Sequence, residues 1–569
     1  MNLPSRREIL DIFHPYVAVH SQSGTARENL AAAFFRSHFA DTPGFSGNPG
    51  CHGSYPLPDD PAGRTVEWAL VRGRGSRTVV LVHHFDVVEI GDYGPLGDVA
   101  FDPDRLADAL RRNPGALDDE SRADLESGEF LFGRGTADMK AGGALQMAFL
   151  DAAARDPDFR GNLVLLALPD EENLSAGMRA AVDLLSDLRE RYSLEYVLMV
   201  DSEPHQRKTP EAGVISGGSI GKILPFVYVR GILAHAGKSA EGFNPLGILS
   251  GIVRRTEMSP DFADRLESDP EMSPPPTWLM ARDSKETYDV SMPLSAFGIL
   301  SVQFLANRPD RILSTLLGSC EAAAGEAAAA AEASARTFRA RTGRLSGGGP
   351  SWTGNRSPRV LSFGRLAAEI RAADGPSFEK ARETAAGRVR TGEPLHRAVW
   401  SFVDALADLA ASGRPLVVAG FLPPYYPSVS HRDRPEFDAT IRFLAARVSE
   451  RARDLWGQEY VLESYFTGIS DLSYSSILDP EGIEALIRAE MPLYGDSYSI
   501  PFGRIAEVSM PCLNIGPWGK DFHKRTERVS IRDLTERTPV LLAEALRCAL
   551  DPAGTPGGCV EEVPCSGTP

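Results

Sequence analysis

The first 210 residues alternate short, continuous apolar runs with stretches of helical pattern, and this alternation constrains the fold more than any other feature. The runs are TVVLV at 78–82, NLVLLAL at 162–168 and YVLMV at 196–200. Strands that are apolar at every position are buried on both faces, and strands separated by helices are typically parallel. The sequence therefore predicts an α/β fold with a mostly parallel sheet flanked by helices.

The pattern changes near residue 215 and returns near residue 461. Between them, KILPFVYVRG and SAFGILSVQFL alternate more strongly, which is typical of a sheet with one open face. A Gly/Ser/Pro-rich stretch near 342–356 predicts a flexible insertion. The run PCLNI and a helical pattern over 531–550 then resemble the first segment again. We predict a first domain built from 1–214 and 461–569, with a frayed C-terminal tail, and an inserted α/β domain over 215–460.

Composition excludes several classes of protein. The formal net charge of −17 would repel a phosphate backbone, so nucleic acid is not an expected partner. The N-terminal segment lacks the apolar core of a signal peptide, and no run reaches the roughly 18 apolar residues of a membrane span. The 6 cysteines have no CxxC spacing, which argues against a thiolate zinc site. We expect a cytoplasmic protein that binds neither membrane nor nucleic acid.

Imidazole and carboxylate groups follow the apolar runs. In open parallel sheets, side chains beyond the carboxyl ends of the strands converge on one crevice. Any one such cluster alone is more typical of a solvated loop, but several at successive strand ends favour a shared site. The groups are His84 and Asp86, Glu171 and Glu172, Asp201 and Glu203, His523 after PCLNI, and Asp138 at the start of a helix, where the helix dipole favours a carboxylate.

Two histidines with several carboxylates form a ligand set for zinc, manganese or cobalt rather than for calcium or magnesium. The arrangement predicts two divalent metal ions, most simply zinc. Asp138 is placed to bridge them, His84 and Asp201 would complete one site, and Glu172 and His523 would complete the other.

Two further carboxylates have predicted roles beside these ligands. Asp86, two residues after His84, can accept the second ring N–H and fix the tautomer. Glu171 adjoins Glu172 and can act as the general base on a metal-bridging water. A base beside a pair of Lewis acids predicts hydrolysis of an amide bond.

Five segments in order resemble the motifs of a known superfamily: HHFDVV, GRGTADMKAG, PDEENLSAG, RGILAHAGKSAEGFNP and MPCLNIGPWGKDFHKRTERV. The superfamily is that of co-catalytic zinc metallopeptidases, which includes aminoacylase, acetylornithine deacetylase and glutamate carboxypeptidase. The segments GFLPPYYP and GISDLSY resemble a branch associated with arginine utilisation. The resemblance implies a catalytic domain interrupted by a smaller dimerisation (lid) domain, a homodimer, the same five ligands, and Glu171 as base.

The resemblance also implies roles for residues of the inserted domain. His235 would reach the active site of the partner protomer and stabilise the tetrahedral oxyanion, although a surface histidine at a strand end is the alternative. Asn244 would contact substrate or cap a helix. After the third strand, an ungapped count favours Asp201 as the ligand whereas the Glu-Pro dipeptide favours Glu203, and we prefer Asp201.

The expected substrate is an N-acyl amino acid or a small peptide, and the acidic composition suits a basic one such as an arginine derivative. Ser219 lies in a GxSxG pattern, but strand-like segments on both sides argue against a nucleophile elbow, which must join a strand to a helix. The remaining alternative is a catalytically silent binding or regulatory protein. Loss of a ligand or of the base would be expected there, and the sequence retains them all.

Overall fold

The structure is a computed structural model. It describes residues 3–551 except 47–49, 114, 116, 208, 210, 266–270, 307, 343–356, 411–412 and 467. Nearly all of the predicted flexible insertion, the predicted frayed tail, Cys559 and Cys565 lie outside the described residues. None of the described helices combines the length and apolar character that crossing a bilayer requires.

Eighteen strands are described. They are β1 (His52–Pro56), β2 (Thr65–Arg72), β3 (Arg74–His84), β4 (Phe130–Phe132), β5 (Arg160–Leu168), β6 (Glu195–Asp201), β7 (Ala212–Ser216), β8 (Gly218–Ser219), β9 (Gly221–Arg230), β10 (Thr277–Asp283), β11 (Ser295–Phe304), β12 (Arg359–Ser362), β13 (Leu416–Tyr426), β14 (Val429–Ser430), β15 (Glu459–Glu463), β16 (Cys512–Asn514), β17 (Gly519–Lys520) and β18 (Arg528–Ser530).

Fifteen α-helices are described, together with short 3₁₀ turns and one π-helical turn. The helices are α1 (Arg6–Val17), α2 (Glu28–Asp41), α3 (Pro103–Arg112), α4 (Asp119–Ser127), α5 (Lys140–Ala154), α6 (Ala176–Tyr192), α7 (Pro245–Thr256), α8 (Pro309–Thr342), α9 (Phe363–Ala373), α10 (Gly375–Arg390), α11 (Leu395–Leu409), α12 (Pro435–Trp456), α13 (Pro480–Glu490), α14 (Phe502–Glu507) and α15 (Thr538–Leu550).

The chain forms two compact units. Unit 1 contains residues 1–220, 429–478 and 503–569, and unit 2 contains residues 221–428 and 479–502. The predicted inserted domain covers 215–460, whereas unit 2 does not contain residues 429–460 and does contain residues 479–502. The difference arises because β15 pairs with β7 and α12 packs on α15, so this part of the chain adds to the core of unit 1.

Unit 1 is built on an eight-stranded sheet in the order β1-β2-β5-β3-β6-β16-β7-β15. The central pairings β5–β3, β3–β6 and β6–β16 are parallel, as the uninterrupted apolar runs indicated. An antiparallel hairpin, β1 and β2, extends one side of the sheet. Helices α1, α5 and α15 contribute buried apolar side chains to the core that covers it. The predicted α/β fold with a large flanked sheet is confirmed.

Unit 2 contains a five-stranded sheet in the order β10-β11-β9-β13-β12. Its pairings are antiparallel except for β12 with β13. Helices α9, α10 and α11 bury apolar side chains against one face of this sheet. The alternating apolar pattern that begins at β9 therefore corresponds to a second sheet with its own hydrophobic core.

The buried side chain of His431 contacts the backbone of the short central strand β16. His431 Nε2 lies 3.1 Å from both the backbone nitrogen and the carbonyl oxygen of Cys512. Burial lowers the pKa of His431 to about 4 because the imidazolium would lose its hydration. The folded pKa is depressed, so this stabilisation is present above pH 6.5 and is lost as the pH falls towards 4.

We therefore expect the stability difference between the unaltered protein and His431→Gln to narrow as the medium is acidified. Below pH 6.5 the unaltered chain should lose up to about 1.4 kcal/mol of unfolding free energy per pH unit more than the variant. Urea unfolding of both proteins at pH 7, 6 and 5 measures this difference. Parallel pH profiles would show that His431 is not held neutral by the fold.

Candidate metal centre

The carboxyl ends of three adjacent parallel strands lie at one edge of the sheet in unit 1. His84 is the last residue of β3, and Glu171 and Glu172 follow β5 after a short loop. Asp201 ends β6, and Glu203 comes two residues later. Because β3 pairs in parallel with both β5 and β6, these side chains emerge on the same edge.

Asp138 lies between two imidazoles, one on each of its carboxylate oxygens. Its Oδ1 is 3.2 Å from His84 Nε2, and its Oδ2 is 3.1 Å from His523 Nε2. His523 Nε2 also lies 2.9 Å from Glu172 Oε1. Ligand atoms of His84, Asp138 and Glu172 all lie within 4.8 Å of one another, a spacing that could hold a metal ion.

The tautomer of His84 is set by the backbone. His84 Nδ1 lies 3.0 Å from the carbonyl oxygen of Asp86 and 3.5 Å from its carboxylate. The carboxylate of Asp86 instead accepts the backbone N–H groups of Glu171 and Glu172, at 3.1 and 3.2 Å. The predicted side-chain contact to His84 is thus mainly a main-chain one. The Asp86 carboxylate orders the loop after β5, and Nε2 of His84 faces the other acidic groups.

Asp201 and Glu203 differ in what their carboxylates contact. Both oxygens of Asp201 accept hydrogen bonds, from the Ser202 backbone at 2.8 Å and from the Ser470 hydroxyl at 2.8 Å. Glu203 Oε1 lies 3.4 Å from His84 Nε2. Glu203 therefore shares the imidazole that faces Asp138, whereas Asp201 is engaged with hydroxyl and amide donors.

The acidic groups of the cluster oppose each other's ionisation. Burial raises the pKa of Glu171 well above its ordinary value, which the charge of His84 offsets only in part. Burial and the charge of Asp138 raise the pKa values of Glu172 and Glu203. Crowded, buried carboxylates are stabilised when a cation binds among them. The charge and the donor types both fit a divalent metal ion.

Asp138 is held in the ionised form even without a cation. Although burial alone would raise its pKa, hydrogen bonds from His523 and His84 hold it below the ordinary value. The same hydrogen bonds to Asp138 and Glu172 raise the pKa of His523 to about 11. The charge of His523 therefore lies beside the carboxylates of Asp138 and Glu172, where a bound metal ion would also supply positive charge.

A cluster of charged side chains contacts the loop that carries Glu171 and stabilises its conformation. Arg64 donates to the carboxylates of Asp170 at 2.7 Å and Glu28 at 2.9 Å. Asp170 and Ser175 both have positive φ, 69° and 51°, a conformation that costs an L-residue about 1 to 2 kcal/mol. The Asp170 carboxylate also accepts the backbone N–H of Ala176. This support fixes the backbone from which the candidate base projects.

A buried acid that no strand-end pattern indicates lies beside the cluster. Asp471 is 1% exposed and accepts a hydrogen bond from the Ser175 hydroxyl at 3.0 Å. Burial and the charge of Asp201 raise its pKa to about 8. Asp471 belongs to the segment GISDLSY, but no pattern in the sequence assigns it a role.

His235 and Asn244 belong to unit 2. His235 is exposed and accepts the backbone N–H of Gly237 at 3.0 Å through Nδ1. Asn244 caps α7, where its side-chain oxygen accepts the N–H of Leu246 at 3.0 Å. The cap is the alternative that the sequence offered for Asn244. The proposed contacts of either residue with substrate or with a partner protomer stay predictions.

Comparison with protein-family sequence models gives a match to the family described as "Peptidase family M20/M25/M40" over residues 107–546. The chain is 32% identical to the uncharacterized protein YqjN of Bacillus subtilis (strain 168) over 567 residues, 99% of this chain and 100% of that protein. It is 28% identical to protein RocB of the same organism over 524 residues, 90% of each chain.

The fold is similar to that of a solved dipeptidase. Dug1p from Saccharomyces cerevisiae superposes with a TM-score of 0.51 at 12% identity, with coverage of 96% of both chains. At this identity the likeness concerns the fold alone.

Proposed function

This chain belongs to peptidase family M20/M25/M40, and from that premise we propose that it is a metal-dependent hydrolase of an N-acyl amino acid or short peptide. The position of Asp138 carries the proposal, because each of its carboxylate oxygens faces a different imidazole. A carboxylate between two nitrogen ligands is suited to bridge two divalent ions. When bound, such ions polarise a carbonyl group as Lewis acids.

We assign the ligands by proximity. His84 and Glu203 would hold one ion, His523 and Glu172 the other, and Asp138 both. Glu203 replaces the Asp201 preferred from the sequence, because Glu203 Oε1 lies 3.4 Å from His84 Nε2, whereas the Asp201 oxygens contact Ser202 and Ser470. Zinc is the proposed metal, with cobalt or manganese as substitutes, since all three accept imidazole and carboxylate ligands.

Glu171 is the proposed general base. Its carboxyl group is buried beside the ligands, and burial raises its pKa. A buried carboxylate with a raised pKa can take a proton from the attacking water at one oxygen and release it to the leaving nitrogen. Bound cations would lower that pKa from its metal-free value, which keeps Glu171 able to accept the proton near pH 7.

The substrate class is narrowed by charge. The net charge of −17 would favour a substrate with a basic side chain. We therefore propose N-acyl or dipeptide derivatives of arginine or lysine as the preferred class, consistent with a role in arginine utilisation. A homodimer in which His235 assists the partner's site, and a cytoplasmic location, remain predictions of the sequence.

A substrate panel with metal control tests the proposed activity. The purified protein is loaded with zinc or cobalt and assayed on matched dipeptides and N-acetyl amino acids with basic, neutral and acidic side chains. We expect hydrolysis that a chelator removes and added metal restores, fastest for the basic members. Metal-loaded protein without turnover of any member would contradict an enzyme and favour the binding or regulatory alternative.

A further inference from the structure

A buried carboxylate outside the proposed ligand set holds the backbone of Asp138. Glu527 lies four residues after His523 and directly before β18, and its side chain is fully buried. Its Oε1 accepts the backbone N–H groups of Ala137 and Asp138, both at 3.1 Å. The segment 523–527 therefore reaches Asp138 twice, through His523 at the carboxylate and through Glu527 at the backbone.

Arg134 balances the charge of Glu527. Its Nη1 donates to Glu527 Oε2 at 2.8 Å, and its Nη2 donates to Asp92 at 3.0 Å. The guanidinium is 1% exposed and lies 5.3 Å from the ring centre of Tyr93. An unpaired carboxylate would be costly to bury here, and the charge of Asp138 adds to that cost, so the guanidinium is needed where Glu527 lies.

Asp138 is contacted at two places: His523 contacts its carboxylate, and Glu527 accepts its backbone N–H. A carboxylate pivots about its own backbone, so a shift of the Asp138 amide would move both oxygens relative to the two imidazoles. Contact with the two backbone N–H groups resists such a shift. Glu67 in the same unit is also buried and pairs with the half-exposed Arg36. It differs from Glu527, because the Glu67 carboxylate contacts the side chains of Arg36, Ser54 and Thr65.

We infer that Glu527 is a positioning residue of the metal centre, which orients Asp138 through its backbone while Arg134 neutralises the added charge. The inference rests on the proposed metal site. Groups that orient metal ligands without touching the metal typically change metal affinity about 10- to 100-fold when altered. A carboxylate present only for an ion pair with Arg134 would instead affect folding and leave metal affinity unchanged.

Two substitutions separate the backbone contact from the ion pair. Glu527→Asp keeps the charge but is shorter by one carbon–carbon bond, so it cannot reach both Arg134 and the Asp138 amide. Glu527→Gln keeps the length and an acceptor oxygen but loses the charge. We expect Co²⁺ affinity to fall about 10- to 100-fold in Glu527→Asp and to stay within about 3-fold of the unaltered protein in Glu527→Gln. The pair Glu67→Asp and Glu67→Gln is the matched control and should bind Co²⁺ normally.

Co²⁺ titration followed by visible absorption, with circular dichroism to verify folding, gives the readout. The inference is overturned if Glu527→Asp binds Co²⁺ as tightly as the unaltered protein, or if Glu527→Gln loses 10-fold or more. The Gln result alone decides the matter if the Asp variant does not fold. Failure of the unaltered protein to bind Co²⁺ would overturn the proposed function as well, which separates the two failures.

Discussion

The Glu171→Gln variant is expected to retain bound metal and to lose hydrolytic turnover by a factor of about 100 to 10,000, the usual range for removal of a general base. Glutamine keeps the shape of the side chain but cannot accept a proton at neutral pH. The measurement is kcat on the best substrate of the panel, together with the metal content of the same preparation.

Glu67→Gln is the matched control for this substitution. Glu67 is also a buried glutamate of unit 1, but its carboxylate pairs with Arg36 at 2.7 Å. It should keep the activity of the unaltered protein. Full activity in Glu171→Gln would refute the base assignment, whereas loss of metal in that variant would mean that Glu171 is itself a ligand.

Asp138→Asn is expected to weaken metal binding by more than about 100-fold, above the range for residues that only orient ligands. Asparagine presents one oxygen and one NH₂ group, so it would offer an oxygen ligand to only one of the two ions. Metal retained after gel filtration measures the effect. Asp151→Asn is the control, because Asp151 pairs with His38 at 3.0 Å and has no proposed ligand role. Equal metal retention in both variants would contradict a bridging Asp138.

Much of the sheet could be predicted from the sequence because its strands are buried on both faces. The runs at 78–82, 162–168 and 196–200 lie inside β3, β5 and β6. Uninterrupted apolar runs are specific to that environment. Strand β1 is only half-buried and carries no such run, so the sequence does not predict the hairpin that it forms with β2.

The sequence favours Asp201 by an ungapped count and Glu203 by its Glu-Pro dipeptide, and on the sequence alone we prefer Asp201. In an extended chain, side chains two residues apart point to the same side, so either carboxylate could reach the site. The proposed preference for Glu203 rests in part on Ser470, which donates a hydrogen bond to an Asp201 oxygen and lies 269 residues away along the chain. Periodicity carries no information about a contact of that kind.

Glu527 and Asp471 lie in segments that carry the resemblance, but the sequence assigns no role to either for a similar reason. Glu527 ends a loop rather than a buried strand, and Asp471 lies in a short 3₁₀ turn, so neither follows the strand-end pattern. Their positions depend on hydrogen bonds to Asp138 and to Ser175, which are distant in sequence. An acidic residue within a polar loop has no local feature that distinguishes it from a solvated one.

The stoichiometry of metal binding tests the central claim most directly. Metal-free protein is titrated with Zn²⁺ in a calorimeter at neutral pH, and the bound metal is then verified by elemental analysis. A bridging Asp138 with a His and a Glu on each side predicts two ions per chain. Binding of a single ion per chain, or of none, would contradict the two-metal site from which the proposed hydrolysis follows.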